Sequence, residues 1–200
     1  MNQLKLKSLV RIKKYRAYRK QSYGIVPNIL ERNFKAHRPY QKWVTDITEF
    51  SLLGRKIYLS TILDLHNGEI VSYNYSSSPN YELVSTMLES ALAMIPENKD
   101  LTLHSDQGWH YQMKAYQHAL KQRGIAQSMS RKGNCLDNAV MESFFATLKS
   151  EFFYLLKFGT IEEFLLELDE YILYYNTKRI KAKLNGMSPV QYRVQHSLVS

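Results

Sequence analysis

The sequence predicts an α/β fold, a mixed five-stranded sheet flanked by helices and preceded by a basic N-terminal arm. Three observations predict it. Strand-like runs follow one another from Lys42 to Ser76 with only short turns between them. Helical and short strand-like runs then alternate from Tyr81 onward. Charge is divided unevenly: residues 1–40 carry eleven Lys or Arg against one acid, Glu31, whereas residues 41–200 carry sixteen against seventeen. The expected division is therefore a basic arm or linker over 1–40 and a folded core over 41–200 ending in a helix and a basic tail.

Within the arm, residues 4–20 have Leu9, Ile12 and Tyr15 at helical spacing among lysines and arginines, the pattern of a basic amphipathic helix. Gly24 and Pro27 interrupt it, and a polar linker runs from Asn33 to Gln41. The body opens with strands expected at Lys42–Phe50, Arg55–Leu65 and Glu69–Ser76. Leu53-Gly54 and His66-Asn67-Gly68 supply the turns of an antiparallel meander. A helix is expected over Tyr81–Met94, with Leu83, Met87, Leu88 and Leu92 on one face and Pro96 ending it. Then come a strand at Leu101–Ser105, a helix at Tyr111–Gln122 and a strand at Ile125–Ser128. A turn at Gly133-Asn134 precedes a long helix over Asn138–Leu156, and a last helix over Ile161–Tyr175 leads into an irregular basic tail. This order places helices on the faces of a mixed sheet.

Composition excludes several classes. A hydrophobic fraction of 44% with 22% charged residues is that of a globular protein rather than a disordered, collagen-like or coiled-coil chain. No run of apolar residues is long enough to span a membrane, and the opening MNQLKLKSLVRIKKYR lacks the features of a secretory signal. The single cysteine, Cys135, precludes an internal disulfide framework and a zinc site built on several thiolates, which points to a reducing cytoplasmic setting. Basic arms neutralise phosphates and release counterions, so nucleic acid is a natural partner, although a solvated tail has the same composition.

Three carboxylates fall where a metal site can be assembled. Asp46 lies mid-strand, sharing a face with Val44 and Thr48, and a carboxylate in so apolar a strand is costly unless paired or metal-bound. Asp106 follows a strand directly, where open α/β sheets place ligands. Glu142 lies one turn into the long helix after Asn138. Fifty-nine residues separate the first two acids and 35 the second pair. An oxygen-only donor set selects Mg²⁺ or Mn²⁺, and two such ions suit in-line phosphoryl displacement. Taken singly, Asp46 also reads as a satisfied buried acid, Asp106 as a cap and Glu142 as a solvated helix residue.

Lys149, seven residues after Glu142, returns to the same helical face and is a candidate phosphate contact, or a plain surface lysine. Arg131 and Lys132 lie in a stretch free of acids just before the acidic helix, as a basic loop closing on DNA or as solubilising charge. His104 and His110 fit no common zinc spacing and are left at most a supporting or substrate role. Asp137 reads as a cap for the long helix, Asp64 as a turn residue or an acid supporting the site, and Glu49 as facing away from Asp46. No GxxxxGK[ST], GxGxxG or GxSxG motif occurs.

The motifs Trp43-Val44-Thr45-Asp46-Ile47-Thr48-Glu49-Phe50, His104-Ser105-Asp106-Gln107-Gly108, Ser128-Met129-Ser130 through Gly133, Asp137-Asn138-Ala139, Glu142-Ser143-Phe144-Phe145 and Lys149 resemble one known family. Tyr175-Asn176, Arg179, Leu184, Ser188-Pro189 and Tyr192 extend the likeness into the tail, although Ile180-Lys181 stands where many members have Pro-His. The family is the catalytic subunit (OrfB) of insertion-sequence transposases of the IS-three type, relatives of retroviral integrases, and the resemblance covers about residues 25–195. It implies an RNase H-like fold and a DDE triad of Asp46, Asp106 and Glu142 acting as catalytic and metal-binding acids. It implies Mg²⁺-dependent cleavage of transposon ends and strand transfer to target DNA, with Lys149 contacting DNA near the reacting phosphate. Two ions, Mg²⁺ or Mn²⁺, and DNA contacts at Arg131 and Lys132 remain the expectations from the residues themselves. The expected partners are transposon-end and target DNA, an upstream helix-turn-helix protein and further copies of the chain assembled on DNA, with no membrane. The expected location is the bacterial cytoplasm, at the nucleoid. A DNA-binding remnant without catalysis and an RNase H-like nuclease are the alternatives.

Overall fold

The computed structural model describes residues 24–95 and 100–197. The amphipathic segment expected over 4–20 and the role expected of Pro96 lie outside the described residues. Strands β1 (Lys42–Leu52), β2 (Arg55–Asp64) and β3 (Ile70–Ser76) form the expected antiparallel meander. Leu53 and Gly54, both at positive φ, make the tight turn between β1 and β2. Helix α1 (Tyr81–Ala93) starts where the Asn80 side chain accepts from the Leu83 N–H, and it carries the chain across to β4 (Thr102–Ser105). Helix α2 (Lys114–Gln122) then returns it to β5 (Ala126–Met129). The sheet order is β3-β2-β1-β4-β5, with β4 parallel to β1 and β5 parallel to β4.

Both faces of the sheet are covered, and β1 serves both by alternation. Trp43 points into a cluster with Met87, Leu88 and Tyr116, from α1 and α2. Val44 and Phe50 point the opposite way, against α3 (Ala139–Leu148) and α4 (Ile161–Thr177). Trp43 also donates its indole N–H to Asp64, which accepts from the backbone of Tyr40 and His66 as well. Asp64 thus closes the end of β2 as the turn residue expected, while anchoring the central tryptophan.

Four local expectations are corrected. The helix expected from Tyr111 begins at Lys114, because residues 108–113 form tight turns that drive the Tyr111 ring into the core. The long helix expected over Asn138–Leu156 is α-helical only to Leu148. It then widens into a π-turn over Lys149–Phe153, with Tyr154 N–H bonded to the Lys149 carbonyl, where Phe152 and Phe153 crowd against Phe164. The tail is not irregular, since α5 spans Pro189–Ser197. Ser188 and Gln191 cap its start reciprocally, with Pro189 at the first helical position, a signal present in the sequence. Finally, the described part of the basic arm is packed onto the body. Leu30 is buried in the core, and the Ile29 and Leu30 N–H groups donate to Ser128 Oγ on β5.

Candidate active site

The parallel pairing of β1 with β4 decides where the first two acids meet. Its register sets Val44 opposite His104 and Thr45 opposite Ser105. Both aspartates directly follow that last pair, and the Asp106 carboxylate acts on Asp46. Both lie on the face covered by α3, whose first turn carries Glu142. Asp46 feels all of this charge. Burial, then the Asp106 carboxylate, and further down the Glu142 carboxylate push its pKa well above the ordinary range. Burial raises Asp106 as well, against the opposing pull of the Gly108 N–H and His110. Carboxylates held together in this way select for a compensating cation.

Each aspartate is oriented by a short, specific contact. Asp46 Oδ1 accepts from the Ile47 N–H at 2.7 Å, and its Oδ2 accepts from Asn138 Nδ2 at 2.9 Å. Asn138 is buried and lies one helical turn before Glu142, so a single segment places both the amide and the third acid. Its own Oδ1 is a buried oxygen without a hydrogen-bond partner. Asp106 Oδ1 accepts from the Gly108 N–H at 2.8 Å. That contact needs a glycine, since a Cβ at 108 would lie 2.9 Å from the same oxygen. The three candidate acids offer oxygen alone, which fits a hard divalent cation. Among the described residues, no three acidic, histidine or cysteine side chains close into a metal cluster as they stand. Asn138 and Gly108 are contributors that sequence spacing did not single out, although both stand inside quoted motifs.

The remaining candidates are placed as follows. Lys149 ends α3 with its Nζ 5.4 Å from the centroid of the Phe50 ring. Lys132 is exposed. Arg131 is engaged elsewhere: Nε and Nη2 both bond Asp137, whose side chain is fully buried. Asp137 is therefore not a helix cap. It is the centre of a polar cluster that also receives Arg32 and Asn28, and the Arg131 fork holds its carboxyl far below the usual range. His104 spans Ser128 and Ser130 at 2.8 and 3.1 Å within the sheet, and burial lowers its pKa to about 4, so it ties strands together. His110 is buried, hydrogen-bonded to the Pro79 carbonyl and stacked beneath exposed Trp109, with centroids 3.9 Å apart. Glu49 pairs with Lys56 on the face away from Asp46, as alternation requires.

Comparison with known proteins joins this geometry to a family. The model described as integrase core domain matches residues 36–135, and a second model of the same description matches residues 142–198. The chain is 52% identical over 195 residues to the putative transposase InsK of insertion sequence element IS150 from Escherichia coli, covering 98% of this chain and 69% of that protein. The fold is similar to a chain of the simian T-cell lymphotropic virus intasome, with a TM-score of 0.67 and 17% identity. That match covers 89% of this chain but only 60% of the viral one. It is also similar to the HTLV-2 integrase catalytic core domain solved in complex with magnesium, with a TM-score of 0.62, covering 80% of this chain and 99% of that domain. At 17% identity these two likenesses concern the fold, which is the RNase H-like arrangement expected.

Proposed function

This chain belongs to the integrase core domain family, as a DDE-type transposase of an insertion sequence, and from that premise we propose that Asp46, Asp106 and Glu142 are its catalytic, metal-binding acids. The observation that supports the assignment is the β1–β4 register, whose last pair, Thr45–Ser105, directly precedes both aspartates. Two divalent ions held by these oxygens would polarise the scissile phosphate and stabilise the attacking and leaving oxygens of an in-line displacement.

The chain's own groups do the rest. The Ile47 N–H and the Asn138 amide orient Asp46, and the Gly108 N–H orients Asp106, so both carboxylates are positioned before DNA arrives. Lys149 and Lys132 bring positive charge to the DNA backbone, whereas Arg131 acts through Asp137 and contributes charge only at its exposed edge. At a transposon end, water adds to the phosphorus and the 3′-oxygen leaves with a proton. That 3′-hydroxyl then attacks a target phosphodiester, displacing its 3′-oxygen, and no protein side chain becomes covalently attached. Arm residues 1–40 add non-specific phosphate affinity to the 41–200 core, and a helix-turn-helix partner reads the terminal repeats. Synapsis of two ends calls for more than one copy on DNA. Among the described residues no helix is long and apolar enough to cross a membrane.

The test is strand transfer of a pre-cleaved duplex bearing the terminal repeat of the protein's own element, in Mg²⁺. Wild-type protein joins it to a target duplex, and Asp46→Asn, Asp106→Asn and Glu142→Gln each abolish joining while still binding the duplex. Joining by any of the three in Mg²⁺ would remove that residue from the site.

A further inference from the structure

The cluster around Asp137 lies outside the acidic triad, yet it stands between the arm and the helix that carries the third acid. Asp137 has no exposed side-chain surface and accepts from five donors. Three belong to Arg131, at the start of the loop that leads to α3, and they close that loop on itself. The other two come from the arm, Arg32 Nε to Oδ1 at 2.8 Å and Asn28 Nδ2 to Oδ2 at 3.0 Å. Arg32 reaches further along the same loop, with Nη2 2.9 Å from Asn134 Oδ1. Asn28 Oδ1 accepts from the Glu31 N–H, which fixes the turn that presents Arg32. The arm is itself pinned to β5 through Ser128 Oγ. The very next residue after Asp137 is Asn138, which holds Asp46, and Glu142 follows one turn later.

We propose that Arg32 and Asn28, acting through Asp137, are positioning residues that set the loop 131–137 and thereby the placement of Asn138 and Glu142 against Asp46. The arm is then a strut of the active site as well as a source of positive charge. The loop holds Asp137 from one side through Arg131 and its own turn bonds. The arm holds it from the other through Arg32 and Asn28, so whatever holds the arm, DNA included, biases the geometry of the acids.

This inference rests on the triad assignment above, and the test separates the two. Arg32→Lys keeps the charge but cannot form the fork to Asp137 and Asn134, while Arg32→Ala removes both. Each is made in the full chain and compared with wild type in two measurements. The first is amide hydrogen exchange over residues 131–142 without divalent ions. The second is the Mg²⁺ concentration giving half-maximal strand transfer. Both variants should exchange faster over 131–142 than wild type. Both should need at least about tenfold more Mg²⁺, approaching the wild-type rate at saturation. A merely destabilised protein would instead lose amplitude at an unchanged half-maximal concentration, and a lost phosphate contact would spare Arg32→Lys. Either result, or unchanged exchange, overturns the strut. Strand transfer in Mg²⁺ retained by Asp46→Asn or Glu142→Gln would overturn the triad assignment instead, whatever the Arg32 variants do.

Discussion

Replacing Gly108 by Ala tests whether the orientation of Asp106 matters separately from its presence. A Cβ built at 108 lies 2.9 Å from Asp106 Oδ1 and 3.2 and 3.3 Å from two carbons of the Tyr111 ring. The ring is buried at 1% exposure and cannot retreat, so the carboxylate must, by about 0.5 Å to reach an ordinary contact. That displacement weakens the bond from the Gly108 N–H and reaches the roughly 0.5 Å tolerance of a productive site. Since a misplacement of about 1 Å costs about a hundredfold, the strand-transfer rate at saturating DNA should fall about ten- to a hundredfold, equivalent to roughly 1.4–2.7 kcal/mol. Crowding should lower folding stability by about 1–3 kcal/mol, leaving the protein folded at 25 °C. Rates come from single-turnover joining of a pre-cleaved end and stability from urea unfolding. A folded G108A protein with an unchanged rate would refute the claim that this glycine positions the acid.

Other outcomes bear on the same site and on the core. Asp106→Asn should melt no lower than wild type in ion-free buffer, because it removes a like charge from beside Asp46 while its own Oδ1 still accepts from Gly108; thermal melting with and without EDTA checks this. Asn138→Ala should lower strand transfer by about 10–100-fold with intact DNA binding, since Asp46 loses its orienting donor; single-turnover joining together with an electrophoretic binding assay reads both. Trp43→Phe should cost about 1.5–3 kcal/mol from the lost bond to the Asp64 carboxylate, measured by urea unfolding followed by circular dichroism. His104 is held neutral in the folded protein, with its pKa lowered from 6.5 to about 4. The unfolded chain therefore takes up a proton first, and the stability this histidine contributes is present above pH 6.5 and is lost as pH falls toward 4. His104→Gln should make that acid slope shallower in melting temperatures taken across this range.

The sequence by itself determined whatever depends on neighbours a few residues away. Alternation along β1 put Asp46 opposite Trp43 and Glu49, and turn chemistry at Leu53-Gly54 set the hairpin. The motifs around Asp46, Asp106 and Glu142 were legible too, and so was the family they resemble. Only the tertiary structure decided which residues stand beside them. The crossover through α1 fixes the β1–β4 register, and no local periodicity encodes a parallel pairing made across 59 intervening residues. Charge counts could not distinguish Arg131 as a free cation from Arg131 as the partner of a buried acid, because that depends on the exclusion of water from Asp137 by a segment about 100 positions upstream. For the same reason the arm's basic composition concealed Leu30 and Arg32, which belong to the body that the arm helps to hold.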